Sequence, residues 1–141
     1  MNITDVTPNL IVSDIARSTA FYRDVLGFSV TTTVPDQAPF VFVWLQRGGV
    51  SVFLNVADTA KEDLPSIASR TIGGTMSMFI TLDAPSIDEG VDALFRSVDG
   101  KARVLMPLKN QFYGMREFVI EDPDGYVLIF AQPLRSDAVM P

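Results

Sequence analysis

The chain has 141 residues and a net charge of −6, with 48% hydrophobic and 20% charged residues. This composition is ordinary for a soluble globular protein, and the length suits one compact unit or two small modules. There is no histidine and no cysteine, which excludes His-based catalytic triads, cysteine nucleophiles and metal sites built from thiolates or imidazoles.

The acidic charge and the apolar pattern also narrow the choice of partners. An acidic surface repels phosphate backbones, so we expect no nucleic-acid partner, whereas basic or zwitterionic small molecules would be favoured. No apolar run approaches the roughly 20 residues of a membrane span, so we expect no membrane partner. The first residues lack the basic and apolar segments of a signal peptide, and the absence of cysteine is compatible with the cytoplasm, which is the location we expect.

The first half of the sequence predicts the order β-α-β-β-β. A short buried strand over 10–12 precedes a helix over 15–26, with Asp14 as its N-cap and Gly27 after its last residue. The segment 46–49 predicts a hairpin turn, because paired glycines admit positive φ angles. Three further strands are predicted, at 28–34, 40–45 and 50–56.

The same order is predicted again in the second half, after a polar segment that looks like a linker or lid with one helical turn. A helix is predicted to start at 83–86 and to end at Gly100, and the turn 122–125 (Asp-Pro-Asp-Gly) predicts a tight hairpin. Asp83 follows Asp14 by 69 positions, which indicates an internal duplication. The predicted strands are 76–82, 102–106, 114–120 and 126–132.

We therefore predict an α+β fold of two tandem βαβββ modules that form a cupped mixed β-sheet around a central cleft. Each sheet would have one face covered by its helix, and the other face would need a partner module or a ligand. The predicted bounds are 1–56 for the first module, 57–74 for a linker, 75–134 for the second module and 135–141 for a tail.

Two segments of the sequence resemble the glyoxalase/bleomycin-resistance/dioxygenase superfamily, also called vicinal oxygen chelate proteins. The first is the run 10–28, which ends in F-Y-R-D-V-L-G-F. The second is Arg116-Glu117-Phe118 followed by D-P-D-G-Y over 122–126. The resemblance covers residues 3 to 134 and implies two βαβββ modules around a pocket.

The resemblance also implies four positions for a metal centre, which the family's metal enzymes fill with histidine and with carboxylate or glutamine. In this chain the four positions fall near Thr7, Asn55, Met76 or Ser77, and Ile129. Isoleucine cannot ligate a cation, and threonine and methionine are poor ligands. We therefore expect no metal and no cofactor, and the metal-dependent activities of the family lose support.

The remaining resemblance is to the metal-free, bleomycin-resistance-like branch, which the segment 112–118 resembles most closely. It implies a metal-independent protein that sequesters a partly aromatic ligand or antibiotic, in some cases cationic, in an apolar cleft without catalysis. One alternative is a metal-independent isomerase or lyase of the same superfamily. Another is a regulatory or partner subunit without catalytic activity. We also expect a homodimer, because half-modules would not leave an apolar face exposed.

The candidate ligand-binding residues are mostly aromatic, and no catalytic or metal-binding residue is predicted. Alternate positions along a strand share one face, so aromatic side chains at such positions could stack on a planar ligand. Of Arg116 and Glu117, one is expected to point towards the cleft and the other to solvent or a helix. Arg116 is expected either to bind an anionic group of a ligand or to form a structural ion pair with an acidic residue. The candidates are Phe40, Phe42, Trp44, Phe53, Asn55, Met78, Phe112, Tyr113 and Arg116.

Overall fold

The computed structural model describes residues 1–134, apart from the side chain of Ala68. The predicted tail, 135–141, lies outside the described residues. The chain divides into two compact units, one over Met1–Gly74 and one that begins at Thr75. Each unit contains one four-stranded mixed sheet, which confirms the predicted α+β fold. The central cleft and the linker stay predictions.

The first unit follows the predicted β-α-β-β-β order and continues into a further helix. Its elements are β1 (Asn9–Val12), α1 (Ile15–Ala20), β2 (Ser29–Val34), β3 (Phe42–Arg47), β4 (Val50–Val56) and α2 (Ala57–Asp63). The strand order is β1-β4-β3-β2, with β1 parallel to β4 and the other pairs antiparallel. Helix α1 carries the chain from β1 at one edge of the sheet to β2 at the opposite edge, which is the crossover that a parallel arrangement needs.

The predicted helix over 15–26 is present, in two parts. The Asp14 side chain accepts a hydrogen bond from the backbone N–H of Arg17 at 3.0 Å and caps α1 as predicted. The chain then widens into a π-helical turn, Phe21–Val25, in which the Leu26 N–H bonds to the Phe21 carbonyl at 3.3 Å. A π-turn accommodates one extra residue per turn, so it shifts the side chains that follow it.

The segment after β4 is more helical than the single turn predicted for it. It begins with α2, in which Ala60 is buried, and continues as a 3-10 helix over Pro65–Ser69. Both belong to the first compact unit.

The second unit repeats the topology of the first. Its elements are β5 (Ser77–Thr81), α3 (Val91–Val98), β6 (Arg103–Asn110), β7 (Met115–Glu121) and β8 (Val127–Pro133). The strand order β5-β8-β7-β6 has the parallel and antiparallel pairs in the same places as in the first unit. The internal duplication is confirmed.

The predicted spacing of 69 positions, however, is wrong for the strands. It aligns Leu10, which is fully buried, with Phe79, which is 40% exposed. Met78 is the residue that matches Leu10, because it is buried and pairs with Leu128 as Leu10 pairs with Leu54. Since side chains alternate between faces, a slip of one position exchanges the buried and the exposed sets.

The predicted start of the second helix at 83–86 is also wrong, because α3 begins only at Val91. Ser86 and Glu89 form the reciprocal side-chain contacts of a helix start. Gly90 then leaves the helical conformation, and the Gln132 side chain accepts a hydrogen bond from the Val91 N–H at 2.9 Å. No helix in the described part of the chain is long and apolar enough to span a membrane.

Each sheet has one face against its helix, and we call the opposite face the open face. In the first unit α1 packs against β3 and β4, and Val43, Leu45 and Leu54 are fully buried on the covered face. In the second unit the ring of Phe95 on α3 lies 5.2 Å from the ring of Phe118 on β7. Side chains alternate between the two faces along a strand. The residues that alternate with Val43, Leu54 and Phe118 in their strands therefore lie on the open face.

Candidate functional site

Three aromatic side chains lie together on the open face of the first sheet. Phe42 and Trp44 alternate with the buried residues of β3, and Trp44 pairs with Phe53 of β4. The Phe53 ring lies 5.2 Å from the Phe42 ring and 5.8 Å from the Trp44 ring, with the second contact edge to face. We call Phe42, Trp44 and Phe53 the aromatic patch. All three are half-buried, so part of each ring is available for stacking.

Polar groups flank the aromatic patch along the same face. The Trp44 indole N–H donates to the Ser51 hydroxyl at 3.0 Å, which fixes the plane of the indole. The Asn55 side chain, opposite Phe42 in the strand register, donates its amide N–H to the Asn9 side-chain oxygen. Because this bond uses one of the two amide N–H groups, the other N–H and the side-chain oxygen are the groups that Asn55 can offer to a ligand.

Phe40 does not share this strand face as predicted. The strand begins at Phe42, and Phe40 precedes it in the connection from β2, where it is half-buried. The alternation of side chains that placed Phe40 beside Trp44 applies only within a strand. Phe40 is therefore outside the aromatic patch as the structure defines it.

Met78 lies in the core of the second unit instead of on its open face. It pairs with Leu128 on the face that α3 covers, whereas the neighbouring Phe79 pairs with Ile129 and is 40% exposed. The prediction of Met78 as a ligand-binding residue conflicts with this placement. Alternation assigns Met78 to the more apolar set of this strand, opposite Ser77 and Thr81. An apolar set suits either a covered core face or the lining of an apolar cleft, so the pattern could not tell the two apart.

Arg116 also lies on the helix-covered side of the second sheet. Its Nε lies 2.6 Å from an Asp92 carboxylate oxygen on α3, and its Nη1 donates to the Asn110 side-chain oxygen at 3.0 Å. Of the two predicted roles, the structure shows the structural ion pair. Glu117, the next residue along β7, lies on the open face. It is not among the candidate ligand-binding residues predicted from the sequence.

The ion pair leads to a prediction for Arg116→Gln. We expect a loss of about 1.5 kcal/mol in the free energy of unfolding, because a partly buried charged hydrogen bond is removed while solvent screens part of its strength. Urea denaturation measures this loss, and calorimetry should show unchanged ligand affinity. Arg103→Gln is the control, because Arg103 is 76% exposed and lies 3.8 Å from Glu121. Weaker ligand binding with unchanged stability would contradict the structural role.

Glu117 and Tyr113 form the most tightly associated polar pair on the open face of the second sheet. The Tyr113 hydroxyl donates to Glu117 Oε1 at 2.5 Å. Glu117 is only 4% exposed, and its Oε2 has no hydrogen-bond partner among the described residues. The neighbouring Phe112 contacts the Tyr113 ring at 5.1 Å but is 97% exposed. A buried carboxylate with one oxygen unpaired is unusual in a folded protein.

Burial, the hydrogen bond to Glu117 and the negative charge of that carboxylate together raise the pKa of Tyr113 to about 12. The phenol therefore stays neutral and donates. Since the folded protein holds this proton more tightly than the unfolded chain, its contribution to stability falls as the pH rises from about 10 to about 12.

This coupling predicts the effect of Glu117→Gln on the Tyr113 titration. We expect the phenol to ionise at a lower pH than in the wild-type protein, because the charge of the carboxylate is removed while the burial remains. The ¹³Cζ resonance of Tyr113, assigned by its loss in Tyr113→Phe, reports the ionisation directly. An unchanged titration would show that Glu117 does not hold the phenol proton.

The four positions implied for a metal centre carry side chains that do not fit one. Asn55 is bonded to Asn9, and Ile129 on β8 pairs with Val119 and Phe79. Amide and hydrocarbon groups lack the charge of the carboxylates, and the basicity of the imidazoles, that hold divalent cations. Within residues 1–134, no three His, Cys, Asp or Glu side chains are grouped as metal ligands.

The two βαβββ units that follow one another along the chain characterise a class of proteins. Comparison with known proteins identifies the family. The family model of the Glyoxalase/Bleomycin resistance protein/Dioxygenase superfamily matches residues 3–130. The chain belongs to this superfamily, which confirms the resemblance seen in the sequence.

The relatives carry different names, which include a resistance protein and a lyase. A bleomycin resistance protein of Geobacillus stearothermophilus is 30% identical over 138 residues, which is 92% of this chain and 96% of the relative. A glyoxalase/bleomycin resistance protein/dioxygenase structure from Nocardioides has a TM-score of 0.77 at 19% identity and covers 100% of this chain and 90% of its own. A lactoylglutathione lyase structure from Agrobacterium tumefaciens has a TM-score of 0.69 at 20% identity and covers 94% of this chain and 95% of its own. The last two likenesses show the fold alone.

Proposed function

We propose that the protein binds a small, partly aromatic molecule without a metal and without changing it chemically. The observation that carries this proposal is the aromatic patch. Its three rings lie on the open face of one sheet, half-buried and held by mutual ring contacts and by the Trp44–Ser51 hydrogen bond. A rigid set of partly exposed rings offers a stacking surface at low entropic cost.

The resemblance to bleomycin resistance proteins supports this proposal and suggests the class of ligand. The relative from Geobacillus stearothermophilus aligns with nearly the whole chain. A net charge of −6 favours ligands with cationic groups. We therefore propose a partly aromatic antibiotic that carries a positive charge as the ligand, sequestered by a homodimer in the cytoplasm.

Isothermal titration calorimetry against metal-free bleomycin and a panel of cationic aromatic antibiotics tests this proposal. We expect saturable binding of at least one compound, with the compound recovered unchanged after prolonged incubation. No heat and no thermal shift with any compound at saturating concentration would contradict the drug-binding function. Light scattering of the same samples tests the homodimer.

A second candidate function is a metal-independent isomerase or lyase, and the Tyr113–Glu117 pair favours it. A carboxylate and a phenol in contact could act as general base and general acid on a bound substrate. The two functions differ in the fate of the ligand, because an enzyme of this kind would return an isomer or a cleavage product. Mass spectrometry and NMR of the recovered compound distinguish them.

A further inference from the structure

The unpaired oxygen of Glu117 is the best-defined polar group whose role the aromatic patch does not explain. Glu117 is 4% exposed, and Oε2 has no hydrogen-bond partner among the described residues, while Oε1 accepts from Tyr113 at 2.5 Å. Taking a carboxylate out of water without a partner is costly, so such a group is retained where it binds something. The single remaining acceptor is therefore a candidate for contact with a ligand.

The surroundings of Glu117 favour a compact cation over a neutral donor. Its partners in the strand register are Ala131 of β8 and Lys109 of β6. Ala131 is fully buried and brings no polar side-chain group to the carboxylate, and the exposed Lys109 makes no ion pair with it in the described structure. A neutral donor would leave the negative charge of the buried carboxylate uncompensated, whereas a cation would neutralise it.

We propose that Glu117 is the binding site for a protonated primary amine, whose ammonium N–H donates a hydrogen bond to Oε2. Tyr113 holds the other oxygen and so orients the carboxylate. Tyr113 lies in the turn between β6 and β7, in which the Gly114 N–H bonds to the Gln111 carbonyl at 3.1 Å.

This site goes beyond the proposed function, because it is formed by the second unit alone and does not require the aromatic patch. If no amine binds at Glu117, stacking of a ligand on the aromatic patch is unaffected. If no ligand stacks on the aromatic patch, binding of an amine at Glu117 is likewise unaffected. The two are distinguishable because the amine site is observed through the Glu117 and Tyr113 resonances.

The experiment is an NMR titration with benzylammonium, with benzyl alcohol as the neutral probe of matched shape. We expect benzylammonium to shift the ¹³Cδ resonance of Glu117 and the ¹³Cζ resonance of Tyr113 in a saturable manner, and benzyl alcohol to leave both unchanged. Glu117→Gln should weaken the binding at least about 30-fold, because it removes one member of a buried charge pair.

Glu121→Gln is the matched control, since Glu121 lies on the same strand and the same face but has Arg103 as a partner at 3.8 Å. We expect it to bind benzylammonium as the wild-type protein does. An equal response to the alcohol, an undiminished response in Glu117→Gln, or an equal loss in both variants would overturn the proposal. If Glu117→Gln does not fold, the comparison of the two probes on the wild-type protein decides alone.

Lys109→Met tests whether the protein's own ammonium group already occupies the site. We expect the Glu117 ¹³Cδ resonance of this variant to stay unchanged without ligand and benzylammonium binding to be retained. A large shift of that resonance in the ligand-free variant would show that Lys109 pairs with Glu117 in solution, and this too would overturn the proposal.

Discussion

Phe118→Ala should lower the free energy of unfolding by about 4 kcal/mol, because it removes a fully buried ring from the core of the second unit. The Phe118 ring stacks on the Phe130 ring at 5.2 Å and an interplanar angle of 23°, and it also contacts Phe95 at 5.2 Å. The substitution therefore leaves a cavity between the sheet and α3. Urea denaturation followed by circular dichroism measures the loss.

Phe112→Ala is the matched control for this substitution. Phe112 is 97% exposed, so we expect a change within about 0.5 kcal/mol. A similar loss for both substitutions, or a small loss for Phe118→Ala, would show that the helix and the sheet do not pack as described.

Gly90→Ala should destabilise the protein by about 3 kcal/mol, although it adds only one methyl group. A Cβ atom at this position would lie 2.1 Å from the Gln132 side-chain oxygen and 2.8 Å from Ala84 Cβ. Gln132 would have to move, and the buried hydrogen bond from the Val91 N–H, at 2.9 Å, would be lost. The start of α3 would then be left without its side-chain acceptor.

Two controls isolate the contact between Gly90 and Gln132. Gly49→Ala adds the same methyl group where no atom lies within 4 Å, and we expect it to change stability by no more than about 0.5 kcal/mol. In a Gln132→Ala background the effect of Gly90→Ala should shrink, because residues in contact are not additive. Full additivity would mean that the cost of Gly90→Ala arises elsewhere.

The sequence predicted the elements of the fold well because the strands and turns carry local signals. Asp14 caps α1, and the turn 122–125 closes with Asp122 Oδ1 accepting from the Asp124 N–H at 2.9 Å. The start of α3 was missed because Ser86 and Glu89 carry the signal of a helix start, whereas Gln132, which caps the actual helix, lies far along the chain.

The faces of the strands were harder to predict than the strands. Alternation divides a strand into two sets but does not say which set the helix covers. Arg116 and Glu117 are both charged, so this pair lacks the contrast that would decide. In β5 the hydroxyl residues Ser77 and Thr81 mark one set, but the apolar set with Met78 suits a helix-covered face and an apolar cleft equally well. The partner of Arg116 is Asp92 on α3, a contact that no local pattern indicates. Glu117 emerged only from its burial and its bond to Tyr113.

The central claim is that the aromatic patch binds the ligand, and the fluorescence of Trp44 tests it most directly. Trp44 is the only tryptophan of the chain, so a change in its emission during titration with metal-free bleomycin, or with a compound found by calorimetry, reports on the patch itself. We expect a saturable change, weakened about fivefold in Phe53→Leu, which keeps the apolar volume but removes the ring. Phe112→Leu should bind normally. Binding by calorimetry without any change in Trp44 emission, or equal affinities of the two variants, would contradict the claim.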